Sequence, residues 1–95
     1  MNSVHAIIVT YNPDVDIVKS NVGDLLGDHN VKKIHIIDNT PDGADFSSIS
    51  NQNVDVHCMY KNVGIATAQN IGIQLAIDEG ANYVALFDQD RKSVV

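Results

Sequence analysis

The chain has 95 residues, of which 44% are hydrophobic, and a formal net charge of −6 at pH 7. That length gives one small core and excludes a second domain, the apolar content argues against disorder, and no run approaches the ~20 apolar residues of a membrane span. The acidic balance, with a pI near 4.7, has the wrong sign for a protein that holds DNA or RNA through the phosphate backbone.

In chain order, Val4 to Val9 reads as a buried strand. The apolar run Ala6 to Val9 is too short for a signal-peptide core and lacks a basic flank, so cytoplasmic residence is expected. Val15, Val18, Val22, Leu25 and Leu26 then recur at helical spacing, with Asn12 placed to cap, Pro13 at the first helical position and Gly27 near the end. Lys33 to Ile37 is a second strand. Thr40 to Asn53, rich in Pro, Asp, Gly, Ser and Asn, reads as a surface connection with Phe46 and Ile49 anchoring a short helical turn. Val54 to Met59 is a weaker third strand, and its lone Cys58 is expected to be a buried, reduced thiol. Ile65, Ala68, Ile71, Gly72, Leu75 and Ala76 mark a second helix that Gly80 closes, and Tyr83 to Phe87 is a fourth strand.

Alternating strands and helices predict an α/β, Rossmann-like parallel sheet of about four strands with helices on both faces. Ligands of such sheets sit at the carboxyl ends of the strands, where neighbouring connections diverge. The polar clusters fall there: Thr10-Tyr11-Asn12, Asp38-Asn39, Tyr60-Lys61-Asn62 and Asp88-Gln89-Asp90.

Each cluster has a chemical reading and a plainer one. Asp38 and Asn39 suit hydrogen bonds to a pyrimidine edge or a ribose, or form a turn. A base can stack near Tyr11 while Thr10 presents its backbone, or the stretch only caps a helix. Asn62 to Gly72 places glycines where a helix N-terminus approaches a ligand or the sheet, with Asn62 and Asn70 tying down loops. Asp88 and Asp90, spaced i and i+2 on extended backbone, point the same way and can reach one divalent cation, or are a solvated turn. His5, His29, His35 and His57 show no zinc-site spacing and read as strand or surface histidines. Neither a dinucleotide fingerprint nor a P-loop is present, and no catalytic Ser-His-Asp or Cys-His arrangement can be argued.

In order, Val9 to Pro13, Ile36 to Asn39, Asn62 to Gly72 and Leu86 to Asp90 resemble four motifs of the N-terminal half of family 2 glycosyltransferases of GT-A fold. The Asp-Gln-Asp form, with Gly-Ile-Ala and Gln-Asn-Ile-Gly before it, is most similar to bacterial rhamnosyltransferases of polysaccharide assembly. The resemblance implies that residues 1–95 form a single truncated nucleotide-sugar-binding domain. Thr10, Tyr11, Asp38, Asn39, Asn62, Gly64 and Asp88 would serve the nucleotide, and Asp90 would ligate Mg²⁺ or Mn²⁺. The implied donor is dTDP-rhamnose or another UDP- or dTDP-sugar, and the implied chemistry is inverting. No catalytic residue is expected in this chain, because the family's base lies downstream of the metal motif, and the chain alone is expected to be inactive. An exposed sheet edge is expected to pair copies into a homo-oligomer. The competing expectation is a non-catalytic α/β module, receiver-like or for assembly, with Asp38 as a phosphorylation site. A receiver needs an acidic cluster beside the first strand, which Thr10-Tyr11-Asn12 does not supply. A domain that folds but keeps its motifs only as a relic is a third expectation.

Overall fold

A computed structural model of the chain describes residues 3–49 and 51–89. The element order is β1 (Val4–Thr10), α1 (Val15–Leu26), β2 (Val31–Asp38), β3 (Val54–Cys58), α2 (Ile65–Asp78) and β4 (Tyr83–Asp88). The strands form one sheet in the order β3-β2-β1-β4, and every pairing is parallel. The expected α/β, Rossmann-like architecture is what the chain adopts.

The alternation of side chains along each strand sorts the core into two layers. Ala6 and Ile8 of β1, with Ile34 and Ile36 of β2, face Val18 and Val22 of α1. Ile7 and Ile37 face the opposite way, onto Ala68 and Ala76 of α2. Both strands are therefore apolar on successive residues, as a sheet covered on two faces requires. Burying an isoleucine fully stabilises by about 1.5–3 kcal/mol, and Ile7, Ile34, Ile36 and Ile37 are each wholly buried.

The long β2–β3 connection contributes more than a surface path. Phe46 and Ile49 are buried in the α1 layer, and the Ile49 N–H donates to the Phe46 carbonyl at 2.8 Å, which closes the expected turn. Those two side chains cover the part of the sheet that a crossover helix would otherwise cover.

Two local expectations are corrected. The α1 cap is Asp14, whose Oδ1 accepts from the Asp16 and Ile17 N–H groups at 3.1 and 3.4 Å. Asn12 instead takes a positive φ of 43° in the loop, and Pro13 precedes the helix rather than opening it. The preceding loop needs that extra turn to carry its backbone toward β2. Cys58 is free but only half-buried, because β3 is an edge strand in which all five residues retain partial exposure. No helix among the described residues is long and apolar enough to cross a membrane.

Candidate functional site

The strand order locates the site. From β1 the chain moves to β2 and then outward to β3, whereas β4 returns to the other side of β1. Connections therefore diverge between the carboxyl ends of β1 and β4, where open α/β sheets form their ligand crevice. Thr10 ends β1 and Asp88 ends β4, its backbone paired with Val9.

Gln89 fastens this crevice. Its side-chain oxygen accepts from the Tyr11 N–H at 2.5 Å, its amide donates to the Tyr11 carbonyl at 3.1 Å, and its own carbonyl accepts from Asn21 Nδ2 of α1 at 3.1 Å. Sequence reading treated Gln89 as a spacer between two carboxylates. A side chain with one donor group and one acceptor, set at a strand end opposite a loop, was the available signal. With its backbone held, Tyr11 is 48% exposed at the rim.

One strand over, Asp38 is wholly buried. Its Oδ1 accepts from the hydroxyls of Thr10 at 2.7 Å and Thr40 at 2.8 Å, while the Thr40 oxygen also accepts from the Asn12 N–H at 2.8 Å. Thr40 was expected only to begin the surface connection to β3, although it stands two residues after Asp38, within reach of a carboxylate-to-hydroxyl turn. Asp38 Oδ2 is buried and meets no donor among the described residues. An unsatisfied buried acceptor is costly, so, among the described residues of the rim, this oxygen would gain from a ligand N–H that uncovers it.

Asn39 and Asn62 act on the chain rather than facing outward together. Asn39, nearly fully buried, accepts from the Val63 N–H and donates to the Gly64 carbonyl, both at 3.3 Å. Asn62 Oδ1 accepts from the Gly64 N–H at 2.9 Å. Gly64 itself has φ 89° and ψ 158°, a conformation that only glycine adopts without strain, and it opens α2 with no side-chain cap and no acidic residue in the first turn. These contacts aim the N-terminus of α2 at the same rim.

The structure thus brings Thr10, Tyr11, Asp38, Asn39 and Gly64 into one hydrogen-bonded frame, with Asn62 at its exposed margin and the Asp88 backbone at the crevice. Asp90, the expected metal ligand, lies outside the described residues. Two carboxylates offer only oxygen donors, a set that fits a hard cation such as Mg²⁺ or Mn²⁺.

Over 94 residues the chain is 34% identical to the dTDP-rhamnosyl transferase RfbF of Shigella flexneri. The chain is a relative of that rhamnosyltransferase. The match takes in 97% of this chain and 31% of the transferase, so the chain spans about a third of its relative's length. No protein-family model matches. The resemblance read from the four motifs is therefore supported along nearly the whole chain by an independent comparison.

Proposed function

We propose that this chain is the donor-binding portion of an inverting, metal-dependent glycosyltransferase that takes a dTDP-sugar, with rhamnose as the sugar. The observation that carries the reading is the buried Asp38 carboxylate, with one oxygen satisfied by two hydroxyls and the other without a donor, beside the crevice that Tyr11 and Gln89 define. A thymine or uracil ring carries an N–H of the kind that Oδ2 lacks, and the exposed Tyr11 ring offers a face for stacking. The receiver-like alternative is disfavoured because Thr10-Tyr11-Asn12, at the end of β1, supplies no acidic cluster beside Asp38.

The frame positions the remaining groups. Gln89 holds the loop that carries Tyr11 against the end of β4, and Asn39 with Asn62 orients the α2 N-terminus, whose unpaired N–H groups suit an anion. A Mg²⁺ or Mn²⁺ ion held by Asp88 and Asp90 would neutralise charge on the departing nucleoside diphosphate. In the transfer, an acceptor hydroxyl forms the new bond at the anomeric carbon as the bond to the diphosphate breaks, and the hydroxyl proton passes to a base outside this set of residues. Exposed Tyr83 and Leu86 on β4 support pairing of two copies along that edge, and a monomeric mass by light scattering would rule this out.

Calorimetric titration of dTDP and UDP, with and without Mn²⁺, tests the reading. Binding of dTDP should strengthen with Mn²⁺, Asp90→Ala should remove the metal-dependent part, and Asp38→Asn should weaken binding in both conditions. No heat and no chemical-shift change for either nucleotide would defeat the proposal.

A further inference from the structure

On the face of the sheet that α2 covers, three histidines from three strands gather although nothing in their spacing along the chain connects them. His5 and His35 stack with ring centroids 5.2 Å apart, and His35 and His57 with centroids 6.2 Å apart. The register explains this: Asp55 stands beside His35 and His57 beside Ile37, so alternate residues of β3 project toward the ring of β2. Ligand atoms of His35, Asp55 and His57 lie within 4.8 Å of one another.

Two ring nitrogens in this group of residues are orphans. His35 Nδ1 and His57 Nε2 are both buried and have no hydrogen-bond partner among the described residues. His35 is wholly buried, and its other nitrogen, Nε2, lies 3.0 Å from His5 Nδ1. If His35 Nε2–H donates to His5, the imidazole is left with a lone pair on Nδ1, which is how a second histidine commonly orients a metal-ligating one.

We propose that His35 Nδ1, His57 Nε2 and the Asp55 carboxylate form a binding site for a divalent transition metal ion, Zn²⁺ by its ligand set, with His5 fixing the tautomer of His35. Imidazole nitrogens favour zinc and its neighbours, whereas the all-oxygen pair Asp88 and Asp90 suits Mg²⁺ or Mn²⁺, so the two sites differ in the ion they select. Zn–N bonds of about 2.1 Å place two ligands of one ion no more than about 4.2 Å apart, so only a small closure of this group is needed. The place now has a resident cation: Lys33 Nζ lies 2.9 Å from Asp55 and 2.7 Å from Glu79. A metal ion must displace Lys33 from Asp55, and Lys33 can keep its bond to Glu79. The inference is independent of nucleotide binding.

The test is Zn²⁺ titration of the chelator-stripped 95-residue chain, followed by imidazole-nitrogen NMR and by calorimetry. One equivalent should move His35 Nδ1 and His57 Nε2 to metal-bound shifts and leave the exposed His29 unchanged. His57→Gln and Asp55→Asn should each weaken binding by at least about tenfold, the lower end of what even outer-shell losses cost. Lys33→Met should tighten it, and Asp90→Asn should leave it unaltered. If either ligand variant fails to fold by circular dichroism, the nitrogen shifts of the unsubstituted chain decide. Absence of those shifts at saturating Zn²⁺, as a bound water bridging the rings would give, overturns the proposal, as does binding confined to His29 or lost in Asp90→Asn.

Discussion

Replacing Gly72 by alanine asks whether α2 is held to the sheet as closely as the structure shows. A methyl group at Gly72 would meet Ile7 Cγ2 at 2.5 Å, with Ile7 Cδ1 and Cγ1 at 3.1 and 3.2 Å. Ile7 is wholly buried in a central strand, paired on both sides, so it has little freedom to withdraw. Alanine in a helix interior gains about 1 kcal/mol over glycine, whereas forcing a methyl group into a packed core costs about 1–3 kcal/mol. Steric cost should win, leaving Gly72→Ala less stable by about 1 kcal/mol, or roughly 4–8 °C in Tm for a domain of this size.

Gly23 supplies the internal control, since it lies within α1, is exposed, and has no atom within 4 Å of an added Cβ. Gly23→Ala should keep the whole helix-propensity gain and stabilise by about 1 kcal/mol. Urea and thermal unfolding followed by far-UV circular dichroism measure both. In an Ile7→Leu background, where the branch leaves Cβ and Cγ2 is gone, Gly72→Ala should cost less than in the unsubstituted chain, a coupling that a double-mutant cycle reads directly. If Gly72→Ala stabilises as much as Gly23→Ala, the close approach of α2 to β1 is wrong.

Thr10→Val removes one of the two hydroxyl donors to Asp38 and should destabilise by about 1–3 kcal/mol in urea unfolding, with nucleotide affinity reduced as the carboxylate loses its orientation. Gly64→Ala must adopt a φ of 89°, and should cost about 1–3 kcal/mol, with amide exchange rising first at the start of α2. Acid should weaken the fold in two stages, monitored with chelator present. His5 and His35 have folded pKa values lowered by burial, opposed by Glu79 and, in the case of His35, Asp55, and reinforced by Lys33. Their contribution is therefore complete above the ordinary histidine value of 6.5 and is lost as pH falls below it. Asp55 and Glu79 are lowered chiefly by hydrogen bonds from Lys33, so theirs is present above the ordinary carboxylate values of 3.8 and 4.5 and is lost on further acidification. A flat stability profile between neutral pH and pH 5 would contradict the first stage.

Element order, sheet direction and the two-faced core were readable because β-branched runs and helical spacing are local signals, and their alternation leaves few topologies. Even Phe46 and Ile49 stood out as apolar residues in a polar stretch. The helix start was misread because Asn12 and Asp14 are both good caps two residues apart, and the choice between them depends on where Thr40 draws the preceding backbone. At the site, residue identity was visible at Asp38 and Asn39, but orientation was not. Asn39 turns inward to hold Val63 and Gly64, and Thr40 joins Asp38, because contacts between strand ends depend on neighbours distant in the chain. The histidine group was hidden for the same reason: zinc spacing rules describe ligands on one helix or loop, whereas these come from separate strands joined by register.

The grip of Gln89 on Tyr11 has an energetic corollary. Asp88 and Asp90 are bonded covalently to either side of a residue whose side chain spans both peptide groups of Tyr11. A ligand that displaces the Tyr11 backbone therefore works against the peptide carrying both carboxylates, and a ligand drawing those carboxylates together works back on Tyr11. Occupancy at one end of such a lever changes affinity at the other by a single shared factor. Cutting the lever with Gln89→Ala should make the two affinities independent, with each weakened as the Tyr11 loop loses its hold on the end of β4.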